Sequence, residues 1–394
     1  MTAPFALTTR FHRLRDLLAA YEGLWRPSPF HEPRPAWCER YPRLTARLLG
    51  LADADLVPLA ADGHALIQML AAHVRGLAGL HELIALPTAE ARAGAAPPVR
   101  LLAHVPGRKQ AQITAFAGAV GEVGHPLLEW CAGKGHLGRL LAWRQPHPVT
   151  SLEIDPALVE AGQALARRAG LDQHFVGADV LAPGTVHHLA GRHAVALHAC
   201  GDLHLALLRG AVQAKPPALD LTPCCYYRTA RTHYQPLNAD AGLALSRDEL
   251  HLAVTDTVTA GRRDRRRAET AAAWKLAFLE WRAAAGVPRD RSFRPVPEAW
   301  LGLGFRGWME RLCLRESLPP PSGPDGAGLE AAGWRRQAEV RRLDLVRLAF
   351  RRPLELWLVL DQALFLERNG YRVRLGEFCE RGLTPRNLLI SARL

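Results

Sequence analysis

Apolar and polar positions change rhythm along this chain, and the changes outline its elements. Up to about residue 100, FHRLRDLLAAYEGLW, YPRLTARLLGL and HALIQMLAAHVRGLAGLHELIAL repeat apolar residues at three- and four-residue spacing, the period of amphipathic helices. The four prolines of RPSPFHEPRPAW predict an extended connection between two of them. From 105 to 229, short apolar runs alternate with helical stretches. LLEW (127–130), SLEIDP (151–156), GADVL (177–181), VALHACGDL (195–203) and LDLTPCCYY (219–227) each finish in small, acidic or thiol-bearing residues. This βαβαβ rhythm predicts an open α/β fold with a mostly parallel sheet, whose functional residues collect at the strands' carboxyl ends. Residues 230–349 read as helical again, with ETAAAWKLAFLEWRAAAG and a Pro/Gly segment, LPPPSGPDGAG (318–328). The chain closes with the helix RPLELWLVLDQALFLERNG, ended by Gly370, and two strands, YRVRLGEFC and NLLISARL. The expected division is therefore a helical domain (1–104), a sheet core (105–229), a helical insertion (230–349) and a closing helix and strand pair (350–394).

Length and charge narrow the class. The 394 residues suffice for more than one folding unit, and no apolar run is long enough to span a bilayer. The first residues lack a signal peptide's apolar core, so a cytoplasmic location without membrane attachment is the expectation. Seven scattered cysteines do not make a disulfide framework; reduced thiols are expected. The net charge is +12, carried almost wholly by arginine, since only four lysines occur. Such an excess of base suits an anionic partner, RNA foremost; a basic protein without a polyanionic ligand is the plain alternative. The oligomeric state is not legible.

Gly133, Gly135 and Gly138 form G-x-G-x-x-G between a strand and a helix, a pattern shared by NAD, FAD and S-adenosylmethionine binders. Glu129, in the strand before it, points to S-adenosylmethionine: a carboxylate there repels a pyrophosphate but suits the cofactor's ammonium and sulfonium. Glu153 ends the second strand, where it can accept both ribose hydroxyls, and Asp179 ends the third, where it can take the adenine amino group or simply cap a turn. Expected cofactor contacts run along Cys131, Ala132, Gly133, Lys134, Gly135, His136 and Leu137. They continue through Ile154 and Asp155 beside Glu153, Val180 beside Asp179, and His198, Ala199 and Cys200 on the fourth strand. GKG is not GK[ST], and no Tyr-x-x-x-Lys accompanies it, which argues against a phosphate-cradling loop and a short-chain dehydrogenase.

EWCAGKGHLG resembles the first motif of class I methyltransferases. Its GKGHL resembles one branch, the eukaryotic methyltransferase-like proteins labelled ribosomal RNA adenine dimethylase domain-containing, with their bacterial relatives. More distantly, the pattern is similar to tRNA 2′-O-methyltransferases sharing GKG, Cys-Gly and Cys-Cys. LHACGDL (197–203), PCCYYRT (223–229), DQALFLERNGYRVRLGEF and LTPRNLLI resemble later motifs of that branch. The resemblance covers about 105–229 and 350–394. It implies a Rossmann-like, seven-stranded sheet finished by an antiparallel pair, and methyl transfer from S-adenosylmethionine. One departure stands out: Cys131 occupies the position of the motif's usual first glycine, where its Cβ narrows the loop.

The resemblance sets HACGDL and PCCYY beside the transferred methyl. The Asn/Asp-Pro-Pro-aromatic segment common in adenine N-methylation is absent, which disfavours that chemistry. Asp202, His198 and Tyr226 are the candidates for orienting the nucleophile. Asp202 reads equally as a helix N-cap, and His198 as a buried hydrogen-bonded residue. Cys224, Cys225, Tyr226, Tyr227 and Arg228 form a candidate substrate wall with an aromatic platform for a base, or a buried strand end. Arg386 and Asn387 belong to the loop before the last strand. Arg262, Arg263 and Arg265, in the run GRRDRRR, are candidate phosphate contacts, and Arg108 and Lys109 form a smaller basic patch. Cys200, Cys224, Cys225 and His198 are conceivable zinc ligands, but no C-x-x-C or paired ligand spacing supports such a site, so no metal is expected. The alternatives to an RNA methyltransferase are a protein (ribosomal-protein) methyltransferase and a non-catalytic adaptor with a degenerate fold.

Overall fold

The apolar runs of the middle and end of the chain pair into one sheet. The computed structural model describes residues 6–90, 95–103, 105–145, 147–255, 261–287, 294–321 and 325–394, without the side chains of Arg262 and residues 325–327. The strands are β1 (Leu127–Glu129), β2 (Val149–Glu153), β3 (Gln173–Gly177), β4 (His193–Cys200), β5 (Ala218–Cys224), β6 (Arg372–Glu377) and β7 (Leu388–Arg393). Their order is β3-β2-β1-β4-β5-β7-β6. β1 pairs in parallel with both β2 and β4, so the strand order reverses there and opens a crevice at the carboxyl ends. β7 runs antiparallel to β5 and β6, as the terminal pair predicts. The fold is thus the Rossmann-like α/β architecture of class I methyltransferases.

Helices cover the sheet because crossovers between parallel strands demand them. They are α1 (Gly107–Ala119), α2 (His136–Arg144), α3 (Pro156–Ala169), α4 (Asp202–Ala214), α5 (Arg247–Val254) and α6 (Arg351–Arg368). All seven residues of β5 are buried. Ile113 and Phe116 of α1 and Leu137, Leu140 and Leu141 of α2 pack on Leu127, Val149 and Val195. Asp220 in β5 is fully buried and joins three strands: its carboxylate meets His193 Nε2 at 2.6 Å, Ser391 Oγ at 2.5 Å and Arg393 Nη2 at 2.8 Å. α6 is buried on nearly every face, and its Asp361 accepts from Tyr234 Oη (2.8 Å), Leu237 N (2.8 Å) and Asn238 N (3.1 Å). That bracket ties the segment after β5 to the helix before β6.

The chain divides into two compact units that differ from the linear four-part division. The sheet unit takes residues 1–19, 82–255 and 351–394; the helical unit takes 20–81 and 256–350. In the sheet unit the first helix belongs to the core, since Phe11 stacks on Trp357 at 5.7 Å between centroids. In the helical unit the early helices and the insertion fold together: Arg342 donates to Leu51 O (3.0 Å) and Asp53 Oδ1 (2.8 Å), and Arg347 to Trp25 O (3.0 Å). Its core packs Trp274, Phe278, Phe305, Trp308 and Leu312. The basic run opens the helix Arg262–Ala284. Part of the Pro/Gly segment 318–328 lies outside the described residues, and Asp325 onward is already helix. Among the described residues, no helix is long and apolar enough to cross a membrane.

Candidate active site

The glycine turn between β1 and α2 is a chain of left-handed residues. Cys131, Gly133 and Gly135 hold φ of 56°, 58° and 64°. A Cβ at Gly133 would meet nothing within 4 Å, so that glycine faces open space; a Cβ at Gly135 would lie 2.3 Å from the Phe175 ring. At Gly138 a Cβ would come within 2.4 Å of Glu129 Oε2, so the third glycine lets α2 sit tightly on β1.

That close approach locates Glu129, and it corrects the sequence expectation. Strand alternation puts Glu129 on the same face as Leu127, the face covered by α2. Its carboxyl is buried, accepting from Ser151 Oγ at 2.8 Å and Gln173 Nε2 at 3.4 Å, beneath the turn rather than above it. Burial pushes its pKa up to about 7. Glu129 therefore supports the turn from below and does not reach a ligand's cations. Leu137 likewise belongs to the core, and His136 is held by Arg139, whose Nη2 lies 2.5 Å from its Nδ1. Burial lowers the His136 pKa to about 4, so the ring is neutral at pH 7. Lys134 is exposed on the turn and Ala132 N is bonded to Leu152 O at 2.8 Å.

The ends of β2 and β3 present the free surface. Glu153 Oε2 accepts from Gly133 N at 2.8 Å, and Oε1 from Ile154 N and Asp155 N at 2.9 and 3.0 Å. A pyrophosphate seated on the turn would need the Gly133 donor that this carboxylate already holds. Glu153 remains half-buried, with lone pairs to spare for hydroxyl donors. Asp179 accepts from Leu181 N at 2.9 Å. Two large aliphatic side chains stand out in solvent beside these carboxylates in sequence: Ile154 is 64% exposed and Leu181 52%. Sequence reading named Val180 instead, but Val180 is buried and its neighbour Leu181 is the exposed one. Asp155 is also reassigned: its Oδ1 accepts from Ala157 N at 2.8 Å and caps α3.

The ends of β4 and β5 supply the remaining groups. His198 sits in a β-bulge between Leu197 and Ala199 with φ 64°, and burial lowers its pKa to about 4. Ala199 is buried, its carbonyl bonded to His204 Nδ1 at 3.0 Å. Asp202 is neither N-cap nor free: Gly201 is the cap, and Asp202 Oδ2 accepts from Ala230 N at 2.8 Å. It positions the loop after β5, which Arg247 also grips through Thr229 O and Arg231 O. Tyr226 is buried, edge-on to His204 at 5.6 Å, and its raised pKa follows from that burial. A phenol so enclosed neither stacks a base nor touches a nucleophile, so the aromatic candidate becomes the half-buried Tyr227, lying against His251 at 4.6 Å. Asn387 is buried and donates to Cys379 O at 2.8 Å, closing the β6–β7 connection rather than facing a substrate.

The charges divide across the edge. Around Cys131, whose pKa burial pushes up to about 12, stand Glu153 and Asp179. Around His198 and Cys225 stand Arg386, Arg228 and Lys109, a residue of α1. Arg228 is exposed; Arg386 donates to Val254 O. Cys225 holds φ 46°, and hydrogen bonds from the neighbouring thiols and these arginines lower its pKa. Cys224 is buried, and its pKa is raised by hydrogen bonding with Cys200 and Cys225 and by that burial. Arg263 and Arg265 belong to the helical unit, Arg263 exposed and Arg265 half-buried; the side chain of Arg262 lies outside the described residues.

This edge coincides with a match to known proteins. Residues 108–232, about a third of the chain, match the family model described as a methyltransferase domain. Among solved structures, one similar chain is the 23S rRNA methyltransferase ErmE, with a TM-score of 0.25 and 13% identity over 60% of this chain and 97% of that one. At that score the likeness bears on neither substrate nor mechanism. No curated protein matches the sequence.

Proposed function

We propose that this chain is an S-adenosylmethionine-dependent methyltransferase acting on RNA. The observation that carries the cofactor reading is the surface at the ends of β2 and β3. Glu153 and Asp179, with the exposed Ile154 and Leu181, offer hydrogen-bond acceptors for a ribose and an adenine amino group and apolar faces for its ring. Open space over Gly133, with its N–H held by a carboxylate, fits an uncharged or cationic ligand better than a diphosphate. The matched methyltransferase domain spans these same strands.

When bound, the cofactor supplies a methyl group already activated by its sulfonium, so the protein's task is positioning. Lys109, Arg228 and Arg386 provide positive charge for substrate phosphates on the other half of the edge. Tyr227 offers a ring for stacking. His198, neutral at pH 7, can accept a hydrogen bond from an attacking hydroxyl or amine and hold its lone pair on line. The excess of arginine supports RNA over protein.

Incubating the full chain with labelled cofactor and fractionated cell lysate tests this reading. Label is expected in RNA. Label confined to ribosomal protein would favour the protein methyltransferase, and cofactor binding without transfer to either fraction would favour the adaptor.

A further inference from the structure

Three thiols at the carboxyl edge have no part in the reading above. Cys200 ends β4, Cys224 ends β5, and Cys225 follows it. All seven cysteines are free thiols, and among the described residues these three bring their sulfurs together. Strand pairing sets Cys200 opposite Cys224, with their sulfurs 3.3 Å apart, and the three sulfurs lie within 4.8 Å of one another. Four thiolates or three thiolates and a water around a tetrahedral zinc, at about 2.3 Å each, place neighbouring sulfurs roughly 3.8 Å apart. The Cys200–Cys224 separation of 3.3 Å is a little under that value, and the 4.8 Å bound on the three sulfurs leaves room for it.

The backbone builds this convergence. An unbulged β4 would carry on its register from Leu197↔Thr222 and bring Cys200 opposite Cys225. The extra residue at His198 moves Cys200 back to Cys224 instead. Cys225, with its left-handed φ of 46°, then turns its sulfur toward the same pair. This is why spacing along the chain gave no metal signal: the ligands come from two strands and depend on a bulge. Three thiolates on a divalent ion leave one negative charge, and Arg228 and Arg386 act on the cluster to offset it.

We propose that Cys200, Cys224 and Cys225 form a three-thiolate site for a borderline-soft divalent ion, zinc, with the fourth position left for water or a substrate's donor atom. Three protein ligands and one open position is the arrangement of reactive rather than purely structural zinc. Cys200 and Cys225 are only half-buried, so the ion is reachable from solvent, while buried Cys224 anchors it. Binding releases the thiol protons, so affinity rises with pH. The site does not rest on the cofactor assignment and stands or falls separately from it.

Cobalt titration of the reduced, chelator-treated full chain tests it directly. The expected result is a thiolate-to-cobalt charge-transfer band with tetrahedral d–d bands, saturating at about one ion per chain and bleached by zinc. Cys200→Ser and Cys225→Ser, each checked for a native circular dichroism spectrum, should weaken cobalt by more than about tenfold. Cys379→Ser, outside the cluster, should titrate like the parent. Absence of the band, its persistence in Cys225→Ser, or a Cys200–Cys224 disulfide as the sole product in protein isolated without reductant would overturn the proposal.

Discussion

Two residues, one beneath the glycine turn and one in it, show how much a single side chain's direction decides. Glu129 is fully enclosed and its pKa is raised to about 7 against an ordinary 4.5. A carboxyl whose folded pKa is raised binds a proton more tightly in the native state. Its share of stability is therefore present below about pH 4.5, falls between 4.5 and 7, and is absent above. We expect unfolding free energy to drop by about 3 kcal/mol across that window, and Glu129→Gln to flatten this part of the profile. Urea titrations at pH 5 and pH 8 on both proteins measure it; an unchanged slope in the variant would contradict the buried placement. Cys131, at φ 56°, bears the left-handed strain that glycine avoids, of about 1–2 kcal/mol. The greater freedom of glycine in the unfolded chain offsets part of that. Cys131→Gly should gain up to about 1 kcal/mol and bind cofactor more tightly; lost stability with weaker binding would refute the strain argument. That a carboxylate lies in β1 is plain from the sequence. Which way it faces is not, because the two-residue period fixes a face only once the helix covering it is known.

At the scale of elements, the strand ends were legible where a run finishes in residues unsuited to a strand interior, such as Glu153; the third was placed late, since β3 ends at Gly177 and Asp179 lies two residues beyond it. The terminal hairpin was legible from its two apolar runs. The loop after β5 was not. Its shape comes from Asp202 gripping Ala230 N, Arg247 gripping Thr229 and Arg231, and a bulge at His198, contacts distant in sequence. Tyr226 and Tyr227 look equivalent on paper, yet one is sealed against His204 and the other is half-open beside His251. The Asp361 bracket makes a further prediction. Asp361→Asn replaces an acceptor for four donors by a group that itself donates, and should cost about 2–4 kcal/mol. A lowered urea midpoint with an unchanged slope is the expected signature; a midpoint equal to the parent's would show that the bracket is dispensable.

For the whole molecule, order along the chain and grouping in space differ. The early helices and the insertion look like separate domains along the chain, but residues 20–81 and 256–350 form one unit. Helical periodicity identifies an apolar face and is silent about its partner, so that union could not be read beforehand. The basic excess works at this scale too. If RNA is the partner, its affinity should fall linearly on a log–log plot against salt, with a slope set by the phosphates neutralised. Replacing Arg263 and Arg265 by glutamine should make that slope shallower by roughly one to two. A slope indifferent to both changes would remove that helix from the interface. Beneath these expectations lies the cofactor itself, and calorimetric titration of the full chain with S-adenosylmethionine tests it most directly. Saturable heat with a micromolar dissociation constant, weakened at least about tenfold in Glu153→Ala, is the predicted result. No heat at millimolar cofactor, or tight binding of NAD in its place, would contradict it.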